Sequence, residues 1–179
     1  MQVQFTIPGK PSAWQRKVEF VDRRTHRVVR KNPDGMKEQQ QAIQWAYKAA
    51  RGGLLTGALK LEVLCVYAIP PSWPRWKQEA ARLGLVWKTT TPDHDNLVKQ
   101  ISDALNGHAY ADDAQIVQDR MGKRYGHPAR TEVRLTQLDV LCDHSPKAAF
   151  LNAIAAQRGE TTLVPAPHIP CHTLKQEAE

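Results

Sequence analysis

The run LKLEVLCVYA at residues 59–68 constrains the fold more than any other stretch of this chain. It is apolar at both parities apart from Lys60 and Glu62. Such a run suits a central strand with cover on both faces, because successive side chains point to opposite sides of a sheet. A strand of this kind needs partners at its edges, and the chain offers three. Val3, Phe5 and Ile7 alternate with Gln2, Gln4 and Thr6, which predicts a half-buried first strand. Strands are also expected at 115–124 and at 131–138, the latter with Val133 and Leu135 on one face. Helices are expected at 36–51, ended by Gly52-Gly53, at 73–83 after Ser72-Trp73-Pro74, and from Asp95 or Asn96 to Asn106. The pattern is that of an α/β protein. It predicts a single domain over 1–138 with a mixed sheet of about four main strands and packed helices.

The remainder is less regular. Residues 12–34 hold short β-branched runs and read as a mobile hairpin or loop, closed by the turn Asn32-Pro33-Asp34-Gly35. Residues 139–179 form a C-terminal extension, with one helix expected at 146–157 and a poorly ordered tail after it. The net charge of +7 is unevenly spread. Residues 10–37 carry nine Lys/Arg against three acids, whereas 139–179 carry three basic residues against five acids. A basic stripe of that density suits a polyanionic partner, although a solvated loop has the same composition. No run approaches the roughly 18 apolar residues that a membrane span requires. MQVQFTIPGK lacks the apolar core of a signal peptide, so the expected compartment is the cytoplasm. Cys65, Cys142 and Cys171 are scattered and form no C-x-x-C pair, which predicts free thiols. His168 and His172 flank Cys171, but proline-rich surroundings favour a tail over a metal cluster there. Trp73, Trp76 and Trp87 could stack on bases or pack a small helix against the body.

Residues 91–117, TPDHDNLVKQISDALNGHAYADDAQIV, carry the candidate chemistry. Leu97, Ile101, Ala104 and Leu105 mark one apolar helical face, and Asp95, Lys99, Ser102, Asp103 and Asn106 the other. Asp93 and Asp95 precede the helix as a D-x-D, and Asp112-Asp113 follows its Asn106-Gly107 stop. Two acidic pairs thus bracket one helix with a lysine on its polar side, a composition suited to a divalent cation. The alternatives are ordinary: an aspartate before a helix is a common N-cap, and Lys99 can pair with Asp95 or Asp103 at i, i+4. A calcium loop of the EF-hand type is excluded by the missing central glycine and late glutamate.

The combination D-x-D-N-L-x-K-x-x-x-D-A-L-N-G followed by D-D-x-Q-I resembles the RusA-type Holliday junction resolvases. The likeness is carried by Pro92-Asp93, Asp95-Asn96-Leu97, Lys99, Asp103-Ala104-Leu105-Asn106-Gly107 and Asp112-Asp113 with Gln115-Ile116. A weaker likeness runs from Met1 to about Leu138, including the Lys-Arg-Tyr after Asp113, and does not extend into the last forty or so residues. The resemblance implies that Asp93, Asp95 and Asp113 hold Mg²⁺, with Mn²⁺ able to substitute, and that Lys99 is needed for cleavage. It implies a homodimer that nicks two strands of a four-way DNA junction symmetrically. Asp112 and Asp103 are then candidates for supporting roles around the cation. Arg16, Lys17, Arg23, Arg24, Lys31, Lys123 and Arg124 are candidates for DNA binding.

Two other readings fit parts of this pattern. A junction-binding module that does not cut would keep the basic stripe without needing the carboxylates. A nucleotide-dependent transferase could use the D-x-D, but no glycine-rich phosphate loop accompanies it.

Overall fold

The computed structural model describes residues 1–158 with the exception of Lys17, Asp22, Asn32, Asp34 and His144. The elements in chain order are β1 (Gln2–Pro8), β2 (Val18–Val21), β3 (Val28–Lys31), α1 (Met36–Ala49), β4 (Leu59–Ala68), α2 (Arg75–Arg82) and α3 (His94–Leu105). A 3-10 turn (Asp113–Gln115), β5 (Ile116–Gly126), β6 (Arg130–Gln137) and α4 (Lys147–Gln157) follow.

β1, β6, β4 and β5 lie side by side in that order, forming the mixed four-stranded sheet that the alternating patterns require. β4 runs parallel to β5 and antiparallel to β6, and β1 is antiparallel to β6. The strand with the most apolar sequence is therefore interior. Its Leu59, Leu61, Val63, Cys65 and Tyr67 are buried with Val3 and Phe5 of β1 and Val133 and Leu135 of β6. Ile43 and Tyr47 of α1 and Leu97, Ile101, Ala104 and Leu105 of α3 complete this core. Each such side chain removed from water is worth roughly 1.5–3 kcal/mol, which is why the apolar faces of α1 and α3 are fixed against the sheet.

The second face of β4 departs from the expectation of full cover. Val66 is buried, but Lys60 and Glu62 stay half-exposed. They pair with each other at 3.2 Å, and Arg134 stands 3.7 Å from Glu62. Charged groups that satisfy one another at a wet surface need no helix over them.

Two element ends also differ from the sequence reading. α2 begins at Arg75, with Pro74 in an extended conformation as its N-cap. The Gln78 side-chain amide donates to the Trp73 and Pro71 carbonyls, at 2.7 and 3.2 Å, so the residues expected to open the helix are held outside it. After α1, Arg51 rather than a glycine takes the left-handed conformation (φ 55°). Gly52 serves another need: a Cβ there would come within 2.3 Å of the Tyr47 ring, whose hydroxyl donates to Gly53 O at 2.6 Å.

The basic segment contains a two-stranded antiparallel ribbon, β2–β3, apart from the main sheet. The turn expected at 32–35 and the tail from residue 159, with Cys171, His168 and His172, lie wholly or partly outside the described residues. Cys65 and Cys142 are free thiols. Among the described residues, no helix is long and apolar enough to cross a membrane.

Candidate active site

Four buried residues, Leu97, Ile101, Ala104 and Leu105, seat α3 in the core and turn its polar face outward. Asp93 is the N-cap, in an extended conformation, and Asp95 sits in the first turn; both are exposed. Asp93 makes no side-chain capping bond, so its carboxylate is not occupied in the usual N-cap manner. Its backbone carbonyl accepts the first bond of the helix, from Leu97 N–H at 3.3 Å. Asp95, Lys99 and Asp103 follow at i, i+4 and i+8 along the outward face.

Of its two candidate partners Lys99 takes Asp103, with Nζ 3.4 Å from the carboxylate, and the same Nζ lies 5.4 Å from the centre of the Trp14 ring. Trp14 N–H donates to Asn96 O at 2.8 Å, tying the segment after β1 to α3 beside the lysine. Sequence reasoning missed Trp14, because its role rests on a contact between segments far apart in the chain.

Past α3 the chain turns through Gly107, which adopts a left-handed φ of 74°, and Asn106 bridges to Tyr110. Tyr110 is buried and donates its hydroxyl to Ser102 O at 2.9 Å. Burial raises its pKa, and the nearby charges of Asp113 and Asp103 push it the same way. The two residues of the acidic pair are used differently. Asp112 caps the 3-10 turn by accepting from Ala114 N–H at 2.9 Å. Gln115 Oε1 accepts from the Asp112 and Ala111 N–H groups, and its amide donates to Gly57 O at 3.1 Å. This reciprocal capping box spends the Asp112 carboxylate on the fold and leaves Asp113 exposed beside it.

The basic candidates are spread out. Arg16, Arg23 and Arg24 are exposed in the segment around β2 and β3. Lys31 ends β3, and Lys17 lies outside the described residues. Lys123 and Arg124 are half-buried on β5. There Trp87 pairs with Arg124, and Lys88 N–H donates to Lys123 O at 3.0 Å. Lys123 points its ammonium at protein, 2.7 Å from Pro92 O and 3.0 Å from Thr90 O. Of the tryptophans, Trp73 packs edge-on against Tyr125 with ring centres 4.7 Å apart. Trp76 and Trp87 remain 73% and 61% exposed, enough surface for a flat ligand to stack on.

Comparison with known proteins settles the class. A family model described as endodeoxyribonuclease RusA matches residues 8–136. The chain belongs to the RusA endodeoxyribonuclease family. An uncharacterized protein, YqaN of Bacillus subtilis (strain 168), is 32% identical over 139 residues, covering 76% of this chain and 96% of its own. A crossover junction endodeoxyribonuclease, rusA of Lactococcus phage r1t, is 37% identical over 81 residues, covering 45% of this chain and 55% of its own.

In this RusA-family chain the donors offered to a cation are carboxylate oxygens on exposed surface. That chemistry fits a hard divalent ion such as Mg²⁺. A single copy does not gather them all. Among the described residues, no three His, Cys, Asp or Glu side chains form a group that could hold a metal ion. The reason is topological. Twelve helical residues span about 18 Å. Asp93 and Asp95 stand at the start of α3, whereas Asp113 follows the turn at its far end.

Proposed function

We propose that this chain is a Mg²⁺-dependent endodeoxyribonuclease that resolves four-way DNA junctions by paired symmetric nicks, acting inside the cell as a homodimer. The observation that carries the reading is the presentation of Asp93 and Asp95 at the exposed N-terminus of α3, with Lys99 a turn beyond. It is supported by membership of the RusA family and by a relative named as a crossover junction endodeoxyribonuclease.

Asp93 and Asp95 would hold the cation from one copy, and Asp113 of a second copy would complete the set, since one chain separates them by the length of α3. Such an ion neutralises phosphate charge and acidifies water. The remaining work falls to the chain's own groups. Lys99 is tethered by an exposed i, i+4 pair worth only ~0.3–0.5 kcal/mol, so it can leave Asp103 for a phosphate oxygen. The Trp14 ring limits where the ammonium goes in the meantime. Asp112 and Gln115 fix the turn that carries Asp113. Basic groups of the β2–β3 segment would neutralise phosphates along the arms without reading sequence.

Incubating the protein with a synthetic four-way junction, with and without Mg²⁺, tests this beside linear duplex and single-strand controls. Cleavage confined to the junction and to the Mg²⁺ arm is expected. A junction that is bound yet uncut in both Mg²⁺ and Mn²⁺ would establish a binding module instead.

A further inference from the structure

The three residues before Asp93 are gripped by two lysines. Lys123 of β5 donates to Pro92 O at 2.7 Å and Thr90 O at 3.0 Å. Lys88 donates to Thr91 O and to Thr90 Oγ1, each at 2.5 Å, and approaches Thr90 O at 3.4 Å. Three consecutive carbonyls are thus occupied by two ammonium groups that converge on one oxygen. The lysines are themselves held. Their backbones pair at 3.0 Å, and Lys88 Nζ lies 4.9 Å from the centre of the Tyr67 ring.

Bringing two cations to a common acceptor is electrostatically unfavourable. Burial pushes the Lys88 ammonium below its ordinary pKa, and the charges of Lys123 and Lys10 add to the effect. The arrangement is therefore not one that free lysines would adopt for its own sake. What it achieves is a fixed entry to α3, at the residue whose carboxylate is left uncapped.

We propose that Lys123 and Lys88 are positioning residues that hold the Thr90–Pro92 backbone so that Asp93 and Asp95 meet the divalent cation in one geometry. This rests on the metal-dependent reading above. It differs from the expectation that Lys123 serves DNA phosphates, because two of the ammonium's three donors already serve carbonyls of its own chain. Groups that orient metal ligands typically change affinity 10–100-fold when lost.

The test reads Mn²⁺ binding by loss of the free-ion electron paramagnetic resonance signal, and junction binding by gel shift in EDTA. Lys123→Met should weaken Mn²⁺ binding by about 10-fold or more, while junction affinity without metal stays within about threefold of wild type. Lys123→Arg, which keeps two or more donors, should recover most of the Mn²⁺ affinity. Lys88→Met provides a second variant with Lys123 still on Thr90, in case the first loses its fold by circular dichroism. Unchanged Mn²⁺ binding in both Met variants, or weakened junction binding alone, would overturn the proposal and make these lysines phosphate contacts. Failure of the underlying reading looks different: wild type and Asp93→Asn would then bind Mn²⁺ alike.

Discussion

Asp93 and Asp112 both precede a helical turn, yet their carboxylates have opposite fates. Asp112 accepts from the backbone and closes a capping box, whereas Asp93 makes no side-chain capping bond. An aspartate that makes no local bond keeps its carboxylate open to a ligand, and this distinguishes two similar positions. Asp93→Asn and Asp95→Asn should each lower cleavage by more than about 100-fold, above the range typical of groups that merely orient ligands. Junction binding measured in EDTA should persist, because a negative charge near the phosphates has been removed. Full activity in either variant would remove that residue from the proposed site. Asp112→Asn should be milder and should act on stability, since an amide oxygen still accepts the Ala114 N–H.

Among the elements, α3 was legible in sequence almost to the residue, because an apolar stripe at helical spacing has one physical solution beside a sheet. β4 was legible as an interior strand because its apolar residues fall at both parities, although its second face is less covered than that pattern predicts. The start of α2 was not, because it depends on the Gln78 side chain reaching back to the carbonyls of Pro71 and Trp73. Nor was the lysine grip on Thr90–Pro92, whose partner on β5 is more than thirty residues away in the chain. Local pattern carries amphipathic faces but not side chains that bond to distant backbone.

Two expected outcomes belong at this scale. Gly52→Ala should destabilise by ~1–3 kcal/mol in urea unfolding, since its new carbon meets the Tyr47 ring, an overpacking effect. Gly53→Ala, with open space at the same position, is the control and should cost far less. Neutralising Arg16, Arg23 and Arg24 should flatten the salt dependence of junction binding by ~0.9 in log–log slope per lost phosphate contact. An unchanged slope would show that DNA binds elsewhere.

For the whole molecule, the separation of the acidic pairs by α3 makes an unusual mixing result expected. If a second copy supplies Asp113, then Asp95→Asn and Asp113→Asn, each inactive, should regain nicking when exchanged into heterodimers. One of the two sites in such a pair is fully wild type, so single-strand nicks should outnumber completed cuts. No recovery under conditions that exchange subunits would place all three carboxylates in one chain. Stability should also fall in alkali. Burial pushes the Cys65 thiol up to about 11, against smaller lowering effects of the Thr131 hydrogen bond and Lys123. The unfolded thiol ionises near its ordinary value of 9.0, so above that pH the native state binds more protons than the unfolded one. The contribution is complete below pH 9 and lost by about pH 11, amounting to about 2–3 kcal/mol. Tyr47, Tyr67 and Tyr110, raised mainly by burial, extend the decline to higher pH. Urea midpoints at pH 8 and 10.5 should differ, and Cys65→Ala should reduce the difference; equal midpoints in the wild type would refute it.

The parallel pairing of β4 with β5 has a consequence for how such a protein can diversify. Everything from α2 through Asp113 lies in residues 69–115, a single crossover whose two ends are pinned by the register Leu59↔Ile116 through Ala68↔Gly126. The segment is in effect an exchangeable cassette with fixed splice points. Exchanging it would keep the sheet's register but would also replace Leu97, Ile101, Ala104 and Leu105 of the shared core. Trp14 and Lys123 reach into it from outside, against Lys99 and Pro92, so a graft that leaves them behind would transplant the acidic groups without their supports.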